Sequence, residues 1–145
     1  MRHHPEIPIR NIGAVLPVQI GVSEERRKLI RAEGRLEPDP VVVTMLVDTG
    51  ASCSWIRLPY MKQLGLQPRS WFDVERVEGT EHRPAYEVSL ILGGIATQYT
   101  KRFEILVGGA EFKHTPHDGL LGRDILRSLQ LTWNGPSEHV RMHYD

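Results

Sequence analysis

The chain has 145 residues, enough for one substantial core but too few for two lobes that each carry a full catalytic site. Lys plus Arg and Asp plus Glu stand at 18 each, so no global field draws the chain to nucleic acid or to an acidic membrane, and neither is expected as a partner. Cys53 is the only cysteine, which excludes an internal disulfide and a thiolate metal cluster. No signal-like apolar stretch follows Met1 and no run reaches the length of a membrane span, so a cytoplasmic protein is expected.

In chain order, Met1 to Asn11 is polar, contains two prolines and reads as a loose arm. Residues 1–13 are therefore set apart from a single domain over 14–145, and His3 and His4 read as a solvated terminus, not as metal ligands. Ala14 to Val22 alternates like a strand, with Pro17 at an edge position. Ser23 offers an N-cap, Glu24 and Glu25 favour a first turn and Gly34 stands at a C-terminal stop, which predicts a helix over Ser23 to Glu33. Its Arg26, Arg27, Lys28 and Arg31 read as a solvated face, with Glu24 placed to pair Lys28.

Val41 to Ile56 reads VVVTMLVDTGASCSWI. Its apolar, β-branched start predicts a strand buried on both faces. Asp48 leaves that strand directly for a turn of small residues, so its carboxyl is expected on a rigid support and partly out of water, a setting suited to proton chemistry. Asp-Thr-Gly is also ordinary turn chemistry, and by itself the motif leaves both readings open. Leu58 to Gly65 reads as a short helix with Pro59 in its first turn. Trp71 to Glu78 and Pro84 to Leu92 predict a hairpin turning around Gly79, Thr80, Glu81 and His82, with Tyr86, Val88, Leu90 and Leu92 on one face. Gly93-Gly94 and Gly108-Gly109 bracket a further strand whose Phe103, Ile105 and Val107 are core positions. Asp118 to Leu126 reads DGLLGRDIL, and Asp124 to Leu129 predicts a helix with Ile125, Leu126 and Leu129 on one face. Leu129 to Trp133, the turn signal Asn134-Gly135, and Val140, Met142 and Tyr144 alternating with Arg141, His143 and Asp145 make a terminal hairpin. His114, His117, His139 and His143 lack the spacing of a metal pair on one helix face, so no metal is assigned. The sum is a mostly β chain, largely antiparallel, closed or barrel-like, with two or three short helices.

LVDTGAS followed well down the chain by GLLGRDIL resembles the aspartic proteases of the retropepsin type. The helical insertion at Ser23 to Glu33 resembles the small retropepsin-like proteins encoded in bacteria. The resemblance implies a retropepsin fold and an aspartic endopeptidase that needs no metal or cofactor. It implies a catalytic Asp48, one from each subunit of a homodimer, acting on a polypeptide. Thr49 would hydrogen-bond across the two chains, Gly50 would admit the peptide backbone, and Ala51 and Ser52 would line adjoining subsites. Leu120, Leu121, Gly122, Arg123 and Asp124 would lie against the Asp motif as support. The central hairpin would be a flap, with Gly79 and Thr80 near substrate. Family members commonly pair the Arg123 position with an acid near the first motif; Ser52 stands there, which leaves the partner of Arg123 open. Chain ends would interleave beneath the site, with the edge of the Val140 to Tyr144 strand as the clasp. Cys53 reads as a buried apolar thiol. The competing reading is a non-catalytic module of the same fold that binds peptide or dimerises.

Overall fold

The computed structural model describes residues 6–11, 13–93 and 100–144. The strands are β1 (Glu6–Arg10), β2 (Gly13–Val22), β3 (Val41–Val47), β4 (Trp55–Arg57), β5 (Ser70–Arg76), β6 (Gly79–Leu92), β7 (Lys101–Ala110), β8 (Gly119–Leu121), β9 (Gln130–Asn134) and β10 (His139–His143). Three short helices, α1 (Glu24–Ala32), α2 (Leu58–Gln63) and α3 (Arg123–Leu126), lie between them. One sheet runs in the order β5-β6-β7-β4-β8-β3-β2-β1-β10-β9, and β2 also pairs with β6. The segment from β6 through β7, β4, β8 and β3 to β2 thus closes on itself as a ring. Two of its pairings, β3 with β8 and β4 with β7, are parallel; the others are antiparallel.

Alternation along these strands decides what fills the core. Val18 and Ile20 from β2, Val43 and Met45 from β3, Val88 and Leu90 from β6, Leu121 from β8 and Ile125 from α3 are almost fully buried, each such side chain contributing about 1.5–3 kcal/mol on leaving water. The expected double-sided burial of β3 does not occur. Val41, Val43 and Met45 point inward, whereas Val42 is 55% exposed. β3 has an outer face, and there Val42 serves strand geometry more than burial.

Within the expected loose arm, Glu6–Arg10 form a strand. β1 inserts between β10 and β2, with Ile7 opposite Val140 and Ile9 opposite Ala14, and Ile7 is buried. His3 and His4 lie outside the described residues. β2 exchanges partners along one edge, from β1 at Gly13 and Ala14 to β6 from Gln19 onward. Pro17 falls in the gap between them, where a missing N–H costs no ladder bond.

Ser23 Oγ caps α1 by accepting from Arg26 N at 3.2 Å, and Gly34 follows in the left-handed region at φ 69°. Glu24 pairs with Arg27 at 3.2 Å, not with Lys28, because Arg27 is drawn across the same face toward Glu37 at 3.1 Å. α3 is shorter than expected. After Leu126 the chain tightens, Ser128 N donating to Ile125 O and Leu129 N to Leu126 O, both at 3.0 Å, and β9 begins at once.

Two glycine signals have other meanings. The β5–β6 hairpin turns at Val77 and Glu78, with Arg76 opposite Gly79; Thr80, Glu81 and His82 already belong to β6. Cross-strand bonds from Thr80 Oγ1 to Glu75 Oε1 at 3.0 Å and between His82 Nδ1 and Asp73 Oδ1 at 2.5 Å fix that register. Gly108-Gly109 does not end β7, which runs on to Ala110. A Cβ at Gly108 would stand 2.4 Å from the Trp55 ring, and one at Gly109 2.5 Å from Leu58, so these glycines provide room for packing. Gly94 and Asp145 lie outside the described residues. At the end of the chain β9 and β10 form the expected hairpin, but β10 lies between β1 and β9. Its edges are occupied, and the outer strands of the sheet are β5 and β9. Among the described residues no helix is long and apolar enough to cross a membrane.

Candidate active site

Asp48 stands where β3 leaves the ring. Its N–H still continues the ladder, donating to Leu121 O at 3.0 Å, and the chain then turns back, with Gly50 N donating to Asp48 Oδ1 at 2.9 Å and Ala51 N to Asp48 O at 3.2 Å. The carboxyl is half-buried while Thr49 and Gly50 are exposed. A rigid strand therefore delivers Asp48 to the surface with Oδ1 of its carboxyl held by its own turn.

The segment from β8 into α3 straps this turn down. Arg123 N donates to Ala51 O at 2.9 Å, and Arg123 Nη1 donates to Thr49 O at 2.9 Å. The partner of Arg123 is thus the carbonyl of the motif itself, so Ser52 need not supply an acid. Gly122 is required for space: its φ of −93° suits any residue, but a Cβ would lie 2.5 Å from Cys53 O and 3.0 Å from Ala51 O. Asp124 completes the strap. It accepts from Ser54 N at 2.9 Å, from Ser54 Oγ at 2.7 Å and from Ile125 N at 2.9 Å, while Ser54 Oγ accepts from Gly122 N at 3.0 Å. Ser54 is 0% exposed.

Sequence reasoning passed over Ser54, although a carboxylate two residues beyond a crowded glycine needs donors and Ser54 is the polar residue next to the apolar Trp55-Ile56 pair. It also passed over Arg57. That guanidinium donates through Nε to Asp118 Oδ1 at 2.7 Å, through Nη1 to Glu111 O at 2.7 Å and Phe112 O at 2.8 Å, and through Nη2 to His117 O at 2.9 Å. Tyr60 Oη donates to the other oxygen of Asp118 at 3.0 Å. One planar cation thereby fixes the loop that leads into β8. His117 is folded beneath that clasp, 7% exposed with no partner for Nδ1; burial, and after it the Arg57 charge, pushes its pKa below the ordinary value.

Of the residues expected at the site, the structure joins Asp48, Thr49, Gly50, Ala51, Gly122, Arg123 and Asp124 into one bonded unit. Ser52 is exposed on its rim. Gly79 and Thr80 lie at the far end of the β5–β6 hairpin, where Thr80 Oγ1 donates to Glu75 Oε1 on the neighbouring strand. Cys53 is half-buried, and burial pushes its thiol up, away from the reactive thiolate.

A strand-borne Asp-Thr-Gly turn pinned by a Leu-Leu-Gly-Arg-Asp segment, on a ring-like sheet, defines a retropepsin-like aspartic protease fold. The aspartyl protease family model matches residues 32–125, which include both the turn and its strap, and the chain belongs to that family. In fold it is similar to a retropepsin-like aspartic protease from Rickettsia conorii, at 15% sequence identity and a TM-score of 0.59, over 98% of this chain and 91% of that one. No curated protein matches the sequence.

Proposed function

We propose that the chain is an aspartic endopeptidase, active as a homodimer in which each subunit contributes one Asp48. The observation that carries this reading is the strapped turn: a carboxyl held rigidly at the surface, in a chain with a single Asp-Thr-Gly motif. One carboxyl cannot serve as base and acid in the same step. Two brought together cannot both ionise cheaply and share a proton, so that one takes a proton from water while the other protonates the scissile carbonyl oxygen. Aspartic proteases are the standard example of this coupling. Thr49 would join the two turns, Gly50 would let the peptide backbone approach, and Ala51 and Ser52 would border the subsites. The β5–β6 hairpin would close over the peptide as a flap, with Gly79 and Thr80 near its tip. Since β10 is flanked on both sides, the outer edge of β9, where Trp133 is 65% exposed, replaces it as the terminal surface offered to a second copy. A single unpaired cysteine suits a reducing compartment such as the cytoplasm.

The test is incubation with a diverse peptide library at several pH values, with and without a statine-type inhibitor, beside the Asp48→Asn variant. Cleavage that rises toward acid, yields to the inhibitor and disappears in Asp48→Asn is expected. Undiminished cleavage by Asp48→Asn would remove Asp48 from the mechanism, and inhibitor binding without cleavage would favour a non-catalytic peptide-binding module.

A further inference from the structure

Beneath the β5–β6 hairpin lies a pocket of about 210 Å³. Its lining is apolar at Trp55, Val74, Ala110, Phe112 and Leu120 and cationic at Arg76 and Arg83. It opens on the face of the sheet that carries Asp48. Leu120 is in register with Leu46 on one side and with Trp55 on the other, so these three side chains share a face. Asp48, two residues beyond Leu46 and still bonded to Leu121 O, leaves on that face too.

The hairpin is held over the pocket by the edge of Phe72 against Trp55, with ring centroids 5.8 Å apart. Its inner surface is charged. Val74 faces Glu81 and Phe72 faces Arg83 across the two strands, and Glu81 is shared by both arginines, Arg76 Nε at 2.7 Å and Arg83 Nη2 at 2.8 Å. Two guanidiniums against one carboxylate leave a surplus of one positive charge. Each guanidinium carries five N–H donors, more than one shared carboxylate takes up, so donors remain for a second carboxylate.

We propose that this pocket selects a glutamate side chain of the substrate, an assignment that rests on the protease reading of Asp48. Glutamate has what both parts of the pocket require: methylenes to cover Trp55 and Leu120, and a carboxylate that reaches the arginine pair. Aspartate has one methylene fewer, leucine offers nothing to the guanidiniums and lysine is repelled by them. Glu81 acts here as an internal competitor of the substrate, holding the arginines in place and weakening their hold on an incoming acid.

The experiment compares kcat/KM for peptides that are identical except for Glu, Gln, Leu or Lys at each position flanking the cleaved bond. At one position Glu should exceed Gln by about tenfold, as a partly exposed charge-assisted contact gives, and the preference should shrink as salt is raised. Arg83→Gln should bring the Glu-to-Gln ratio close to one, whereas Glu81→Gln, which frees both arginines, should raise it. Opposite shifts from neighbouring substitutions distinguish recognition from general damage to the hairpin, which would move both the same way. The same Glu and Gln peptides are also titrated into Asp48→Asn by tryptophan fluorescence. A Glu preference there, when the wild type cleaves none of the peptides, keeps the pocket and discards the protease. Equal affinity, or cleavage without a Glu preference at any position, overturns the pocket.

Discussion

Replacing Ser54 by alanine removes a single oxygen that makes two of the bonds tying the Asp48 turn to its strap. Ser54 Oγ donates to Asp124 Oδ1 at 2.7 Å and accepts from Gly122 N at 3.0 Å. Loss of the first forfeits a hydrogen bond to a charged group, about 1.5–3 kcal/mol. Loss of the second leaves a buried N–H with no acceptor, roughly another 1–3 kcal/mol. Asp124 still accepts from Ser54 N and Ile125 N, which favours the lower end, about 3 kcal/mol in all. With an unfolding entropy of about 2.1 cal/mol/K per residue, that loss lowers the Tm of a chain of 145 residues by about 10 °C. Thermal and urea unfolding, beside Ser52→Ala at the exposed rim as a control, measure it. A Ser54→Ala variant within about 0.5 kcal/mol of wild type would show that the strap does not depend on this hydroxyl.

Three further outcomes are expected. Gly122→Ala should destabilise by at least about 1–3 kcal/mol and lower activity further, since its Cβ meets backbone at Cys53 and Ala51 that cannot move without moving the Asp48 turn; wild-type stability and activity would contradict the close approach. His117 has a pKa lowered first by burial and then by Arg57, against weaker opposition from Asp118 and Asp48. The unfolded chain therefore takes up a proton before the folded one, and stability that is full above about pH 6.5 is lost as the pH falls. The drop in urea midpoint from about pH 7 to about pH 5 should be smaller in His117→Phe, and an equal drop would show that His117 does not contribute. Cys53→Ser should keep cleaving peptides; a dead serine variant, together with loss of wild-type activity on mild alkylation, would point to a cysteine mechanism.

Local chemistry made some of this structure legible in the sequence. Asp48-Thr49-Gly50 and Leu121-Gly122-Arg123 are short motifs whose spacing carries its own meaning, and Ser23 and Gly34 mark the limits of α1 through bonds within a few residues. What escaped depends on partners far along the chain. β1 could not be read from a segment interrupted by Pro8, because its burial comes from β10 at the opposite end of the sequence. Ser54 and Arg57 are ordinary residues until α3 and the loop before β8 fold against them. The polar run from Glu75 to His82 has no apolar alternation to set its register, so cross-strand pairs place the turn at Val77-Glu78 and not at Gly79. Glycine itself was ambiguous: at Gly79, with φ 125°, it relieves a backbone constraint next to the turn, while at Gly108 it makes room for Trp55.

The pairing of two Asp48 carboxyls is tested most directly by mixing subunits. Wild type and Asp48→Asn are combined at constant total concentration, equilibrated until subunits exchange, and assayed on a peptide that the wild type cleaves. If each site needs an aspartate from both chains, activity follows the square of the wild-type fraction, and an equal mixture retains about a quarter of the starting rate. A linear decline, with about half the rate in the equal mixture after exchange has been verified, would contradict the paired mechanism and assign the chemistry to a single chain.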